Sequence, residues 1–108
     1  MRALSIRQPY AEEILRGIKP IEYRSRRTSV IGERFYIYAA KLPGDLTRFD
    51  ALGCEPGDLP TGLLVGTAVI SHCTSAGSVF EWHLRDVRRL ARPRKPAGQP
   101  QPAWFKPF

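Results

Sequence analysis

The stretch that decides the fold is LSIRQPYAEEILRGIKPIEYR, Leu4 to Arg24. It reads as a strand, a tight turn, one short helix, a glycine stop and a second strand. Pro9 suits the first helical position, because its missing N–H would have no partner there and its φ is already near the helical value. Ala11, Ile14, Leu15 and Ile18 follow the i, i+3, i+4, i+7 spacing of one apolar face, which predicts a helix of about two to three turns. Glu12, Glu13 and Arg16 fall on the opposite face. Gly17 supplies the positive φ that commonly ends a helix. Polar residues gather at the two junctions. Arg7, Gln8 and Pro9 sit where strand meets helix, and Lys19, Glu22 and Arg24 sit where the helix hands over to the second strand. One buried helix thus brings two polar clusters towards one place, which is a way to build a pocket.

Working outward, Arg2 to Ile6 is the first strand and Ile21 to Ser25 the second. Arg24, Arg26 and Arg27 follow closely, so at least one points to the rim. They read either as a solvated strand end or as a bidentate phosphate contact. Arg34 to Ala40 is rich in β-formers, with Phe35 and Ile37 on one face and Tyr36 and Tyr38 on the other. An open tyrosine face offers a stacking surface for bases; the plainer expectation is that the tyrosines pack under a covering helix. A short helix falls within Pro43 to Leu52, with Leu46, Phe49 and Leu52 as its apolar side. The turn-rich loop Gly53 to Gly62 is the candidate mobile lid.

Leu63 to Ser71 is apolar on both faces and reads as a central strand. Gly66 inside it predicts a bulge or a close backbone approach. His72 and Cys73 are neighbours, and neighbours on a strand point to opposite faces, so they make no thiol–imidazole pair. Thr74 to Val79 is a turn. From Phe80 to Leu90, Phe80, Trp82 and Leu84 alternate with Glu81, His83 and Arg85 as a strand does. The segment from about 93 to 108 is basic and Pro-rich. Proline cannot donate to a sheet ladder, so this is a wrapping segment, anchored by Trp104, Phe105 and Phe108.

At 108 residues the chain is one domain, 1–108. No apolar run approaches 18 residues, which excludes a membrane-spanning helix. The start lacks the pattern of a signal peptide, so the expected location is cytoplasmic. Two cysteines, Cys54 and Cys73, are too few for a disulfide framework. The net charge of +7 is uneven: eight Lys/Arg against four Asp/Glu in residues 1–40, two against five in 41–84, and seven against one in 85–108. Two basic ends brought together by a barrel form the usual electrostatic footprint for phosphates; the bland alternative is an arginine-rich solvated surface. Two His and two Cys at no ligand spacing leave no zinc site, and there is no P-loop or GxSxG signature. The expectation is no metal and no cofactor.

The opening stretch resembles the ASCH domain family at Ser5, Ile6, Arg7, Gln8, Pro9, Tyr10, Gly17, Lys19, Ile21, Glu22 and Arg24, and departs from it at Pro20, where the family has Thr. The resemblance implies an α+β fold: a PUA-like mixed β-barrel with one or two short helices. It also implies binding of RNA or a nucleotide in a basic cleft between the first helix and the barrel. Arg7, Gln8, Lys19, Glu22, Arg24 and Arg26 are the candidate ligand-binding residues, and Lys41 joins them because the family has a basic or small polar residue near the cleft there. Free N–H groups at the helix start favour anions, and the Gln8 amide offers a paired donor and acceptor to a base edge. An alternative is a small hydrolase. One subgroup of the family resembles amidohydrolases of N4-acetylcytidine that use a Lys, a Thr and a Glu. Lys19 matches that Lys, Glu22 stands where the subgroup has Thr, and Glu81 is the candidate for the second-half Glu. In that reading Lys19 and Glu22 are catalytic. Other members resemble metal-dependent ribonucleases, but this sequence has no carboxylate cluster for a metal. A third reading is a protein-interaction module whose partner binds the Pro-rich tail.

Overall fold

The alternation expected of the first strand sets up two layers. Leu4 and Ile6 enter one core with Phe35, Ile37, Val65, Ala68, Ile70 and Trp82. Ala3 faces the other way and joins Tyr38, Leu64 and Phe105. In the computed structural model, which describes residues 1–108, the elements are β1 (Ala3–Arg7), α1 (Tyr10–Leu15), β2 (Ile21–Arg24), β3 (Arg34–Ala40), α2 (Thr47–Ala51), a 3-10 turn (Pro56–Asp58), β4 (Leu63–Ala76), β5 (Val79–Arg94) and β6 (Trp104–Phe105). They form one mixed six-stranded sheet in the order β2-β5-β4-β3-β1-β6.

β1 and β3 are parallel, with Leu4 opposite Ile37. A parallel pair needs a crossover, and α1 and β2 provide it. The other pairings are antiparallel. The sheet curls until β2 faces β1, but no ladder joins them. Side chains bridge that seam instead: Arg24 Nη2 donates to the Ser5 carbonyl at 2.8 Å, and Trp82 of β5 stacks on Trp104 of β6 with ring centroids 5.9 Å apart. This is the expected α+β barrel with two short helices. No helix is long and apolar enough to cross a membrane.

Several expectations change. α1 has six residues, shorter than the periodicity predicts, and Pro9 precedes it as the cap residue, after a cis Gln8–Pro9 bond. Ile18 lies beyond Gly17 and is 55% exposed. Glu12 and Glu13 are buried, because so short a helix is packed on more than one side. Arg89 grips Glu12 with two 2.9 Å bonds, and Arg16 adds a third at 2.7 Å. Arg48 grips Glu13 at 3.1 and 2.7 Å. Only Phe49 of the α2 region is buried; Leu46 is exposed. The β4–β5 turn narrows to Gly77 and Ser78, with both strands running past their expected ends. Gly66 does sit at a register shift, and a Cβ there would come within 2.6 Å of the Arg88 carbonyl oxygen.

The tyrosine face is covered by the tail, not by a helix. Tyr38 meets Phe105 edge-on at 5.2 Å and Tyr36 meets Phe108 at 6.1 Å. The last residues therefore belong to the barrel. β6 pairs with Ala3 and Leu4, and Pro96, Phe105 and Pro107 are buried.

Candidate functional site

Gly17 takes φ +78° and turns the chain back on the helix, so that the amides of Ile18 and Lys19 both donate to the Glu13 carbonyl. Lys19 thus lies outside β2, and strand alternation does not separate it from Glu22. Its Nζ reaches Glu22 Oε1 at 3.4 Å and donates to the Ile21 carbonyl at 2.7 Å. On the other side Arg24 holds Glu22 Oε2 through Nη2 at 2.7 Å and Nε at 2.8 Å. Glu22 is buried between the two cations. The Lys19 ammonium also lies 5.0 Å from the Tyr23 ring centroid and 5.7 Å from that of Tyr10. The Arg24 guanidinium lies over Trp82 at 5.6 Å.

These groups form one wall of a cleft of about 840 Å³. Ser5 and Arg7 enter from β1, Tyr10 from α1, Tyr38, Ala40 and Lys41 from the end of β3, and Gln99 to Ala103 from the tail. Four cationic side chains, Arg7, Lys19, Arg24 and Lys41, face one carboxylate. Arg7 and Lys41 have no carboxylate partner. Cations outnumber the carboxylate in this lining, and low-dielectric walls focus the field of such an excess, an arrangement chemically suited to an anion. Burial pushes the Tyr38 phenol above its ordinary value, and it remains a neutral hydroxyl.

The tail segment forms a closed strap. Its base is joined by the Gly98 amide donating to the Pro107 carbonyl at 2.7 Å. Its tip is held by Ser5, whose amide donates to the Ala103 carbonyl at 3.0 Å and whose hydroxyl donates to the Gln101 carbonyl at 2.6 Å. Gln99 and Gln101 line the cleft and are exposed. Neither is singled out from the sequence; the signal is two amides between prolines in a segment read as a wrapping anchor or a partner-binding tail.

Of the residues singled out in the sequence, Arg7, Lys19, Glu22, Arg24 and Lys41 come together in this cleft. Gln8 does not line it. Its side chain is fully buried, with Nε2 donating to the Pro60 carbonyl and Oε1 accepting the Glu12 amide, both at 3.0 Å. That contact, with the Glu13 amide bonded to the Pro9 carbonyl, also removes N–H groups expected to be free for an anion. Arg26 is exposed and outside the lining; its carbonyl accepts the Trp82 indole N–H at 2.9 Å. Glu81 stands opposite Tyr23 on β5 and accepts the Thr74 hydroxyl at 2.9 Å, also outside the lining. The 53–62 loop, expected as a lid, lines no part of the cleft, and tail residues Gln99 to Ala103 line it instead. No group of three or more His, Cys, Asp or Glu is arranged to hold a metal ion.

A family model described as ASCH domain matches residues 4–105. Among solved structures, that of ASCH from Zymomonas mobilis superposes with a TM-score of 0.61 at 16% identity, covering 87% of this chain and 72% of that one. A Tyr-to-Phe mutant of the Zymomonas mobilis protein gives 0.62 at 16% identity, over 87% and 74%. At that identity the likeness is one of fold. No curated protein matches the sequence.

Proposed function

The chain belongs to the ASCH domain family, and from that premise we propose that its cleft binds a nucleotide unit of RNA. The observation that carries this reading is the lining: four cations against one carboxylate, beside the rings of Tyr10, Tyr23 and Tyr38. Cations suit phosphate, and Tyr23, about half exposed, offers a face for base stacking. Arg7 and Lys41 meet the phosphate, since neither is neutralised within the protein. Lys19, Glu22 and Arg24 form the polar floor that orients the ribose and base. Arg26, outside the lining, is assigned to the flanking backbone.

The test is fluorescence anisotropy of a short single-stranded RNA at two salt concentrations. Arg7→Ala and Lys41→Ala are the variants of choice, because Arg24 also bridges the barrel seam and its loss confounds folding with binding. Each lost phosphate contact lowers the salt slope by about 0.7. Wild-type protein that binds no RNA at low salt sinks the reading.

A second reading, hydrolysis of an acetylated nucleoside, is favoured by the 3.4 Å approach of Lys19 to Glu22 in the cleft. Water would attack the acetyl carbonyl carbon as Glu22 accepts its proton, and Lys19 would stabilise the oxyanion. Collapse of the oxyanion would break the C–N4 bond, with the proton passing from Glu22 to the leaving amino nitrogen and acetate released. Incubation with N4-acetylcytidine decides it: turnover that Lys19→Ala abolishes, with the fold retained by circular dichroism, supports an enzyme. No turnover removes the reading.

A further inference from the structure

Residues 87–108 contain six cations, Arg88, Arg89, Arg92, Arg94, Lys95 and Lys106, and no acidic residue. One of these, Arg89, has a carboxylate partner, Glu12. The fold gathers three of the others at one place. Lys95 and Lys106 flank the base of the strap, where Gly98 bonds to Pro107. Arg94 ends β5 and lays its guanidinium over the Phe108 ring, 4.0 Å from its centroid. Arg94, Lys95, Lys106 and Phe108 are all exposed.

The strap links this cluster to the cleft. Its tip at Gln101 lines the cleft, three residues from Gly98 at its base. Three residues of chain span at most about 11 Å, a distance that a few nucleotides of extended RNA cover. Phe108 packs on Tyr36, which shares its strand face with the cleft residue Tyr38. The strap, exposed at Gln99, Gln101, Pro102 and Ala103, thus joins the cleft to cations without a carboxylate partner beside a half-exposed aromatic ring. Cations that track a backbone beside a ring on which a base can stack are what single-stranded nucleic acid requires.

We infer that the strap base, Arg94, Lys95 and Lys106 with Phe108, is a second phosphate-binding surface that holds the RNA backbone flanking the nucleotide in the cleft. The ligand class is then single-stranded RNA of several nucleotides, not a free nucleotide. This rests on the reading of the cleft as an RNA site.

The experiment compares a labelled mononucleotide with a single-stranded RNA of about 12 nucleotides. Binding is measured for the wild type, for Arg94→Gln/Lys95→Gln/Lys106→Gln, and for Lys95→Gln/Lys106→Gln, which spares the Arg94–Phe108 contact should the triple variant fail to fold. The triple variant is expected to bind the mononucleotide as the wild type does. It is expected to bind the oligonucleotide about tenfold more weakly, with a salt slope lower by about two. An oligonucleotide affinity equal to wild type in both variants overturns the inference and leaves the cleft reading standing. Equal loss for both probes also overturns it, since the mutations then act through the cleft. Wild-type protein that binds neither probe overturns both readings. Binding of wild type to vesicles containing anionic lipid, lost in the variants while RNA affinity is unchanged, overturns it in favour of a lipid surface.

Discussion

Glu12 shows how far a single side chain can depart from its place in a helical pattern. The periodicity assigns it to solvent, yet it is 5% exposed and held by Arg89 and Arg16. The Arg89 hydrogen bonds hold its carboxyl below the ordinary value of 4.5; burial opposes them, and Arg16 adds to the lowering. A carboxylate whose pKa is lower folded than unfolded stabilises the protein fully above the unfolded value. That stability is lost as pH falls from about 4.5 through the depressed folded value. Urea midpoints are therefore expected to be insensitive to this group near neutrality and to fall with acid below about pH 4.5. Glu12→Gln is expected to cost about 1–3 kcal/mol at pH 7 and to flatten part of that acid slope. An unchanged midpoint at pH 7 with an unchanged slope would refute the role given to Glu12. Gln8 is a similar case. Its partner Pro60 is remote in sequence, so no local pattern separates a buried structural amide from one offered to a ligand.

Among the elements, those built by local alternation were legible. β3, the buried run of β4 and the start of β5 follow from apolar and aromatic spacing, and Gly66 announced its own irregularity. β6 was not legible as a strand, because two residues carry no period and pair only with Ala3 and Leu4 at the other end of the chain. Its role as an anchor was readable from Trp104 and Phe105. The strap depends on Gly98 at its base: a Cβ there would collide with the Lys106 carbonyl oxygen and stand 3.3 Å from the Pro107 carbonyl carbon. Gly98→Ala is expected to part the strap base, at a cost of about 1–3 kcal/mol, and to loosen the tip. The Ser5 amide, bonded to Ala103, reports this directly by faster hydrogen exchange. Protection at Ser5 equal to wild type would show that the strap tolerates the methyl group and is not held as described.

For the whole molecule, the uneven charge along the sequence turns into an uneven surface. The basic N-terminal region supplies Arg7, Lys19 and Arg24 to the cleft, and the C-terminal region lines the same cleft with the uncharged residues Gln99 to Ala103 of its strap. The N-terminal contribution was readable from the likeness of the opening stretch, whereas none of the cations that make the C-terminal region basic lines the cleft. The strap's own part was not readable, since it depends on a contact between Ser5 and residues about a hundred positions later. The seam between β2 and β1 carries a mechanical consequence. Neighbouring strands elsewhere in the sheet are fastened by backbone ladders, whose spacing near 4.8 Å is stiff. The seam is fastened by one guanidinium and a pair of stacked indoles, contacts that tolerate sliding. A change of spacing at the seam would therefore break side-chain contacts alone and leave every backbone ladder of the sheet intact.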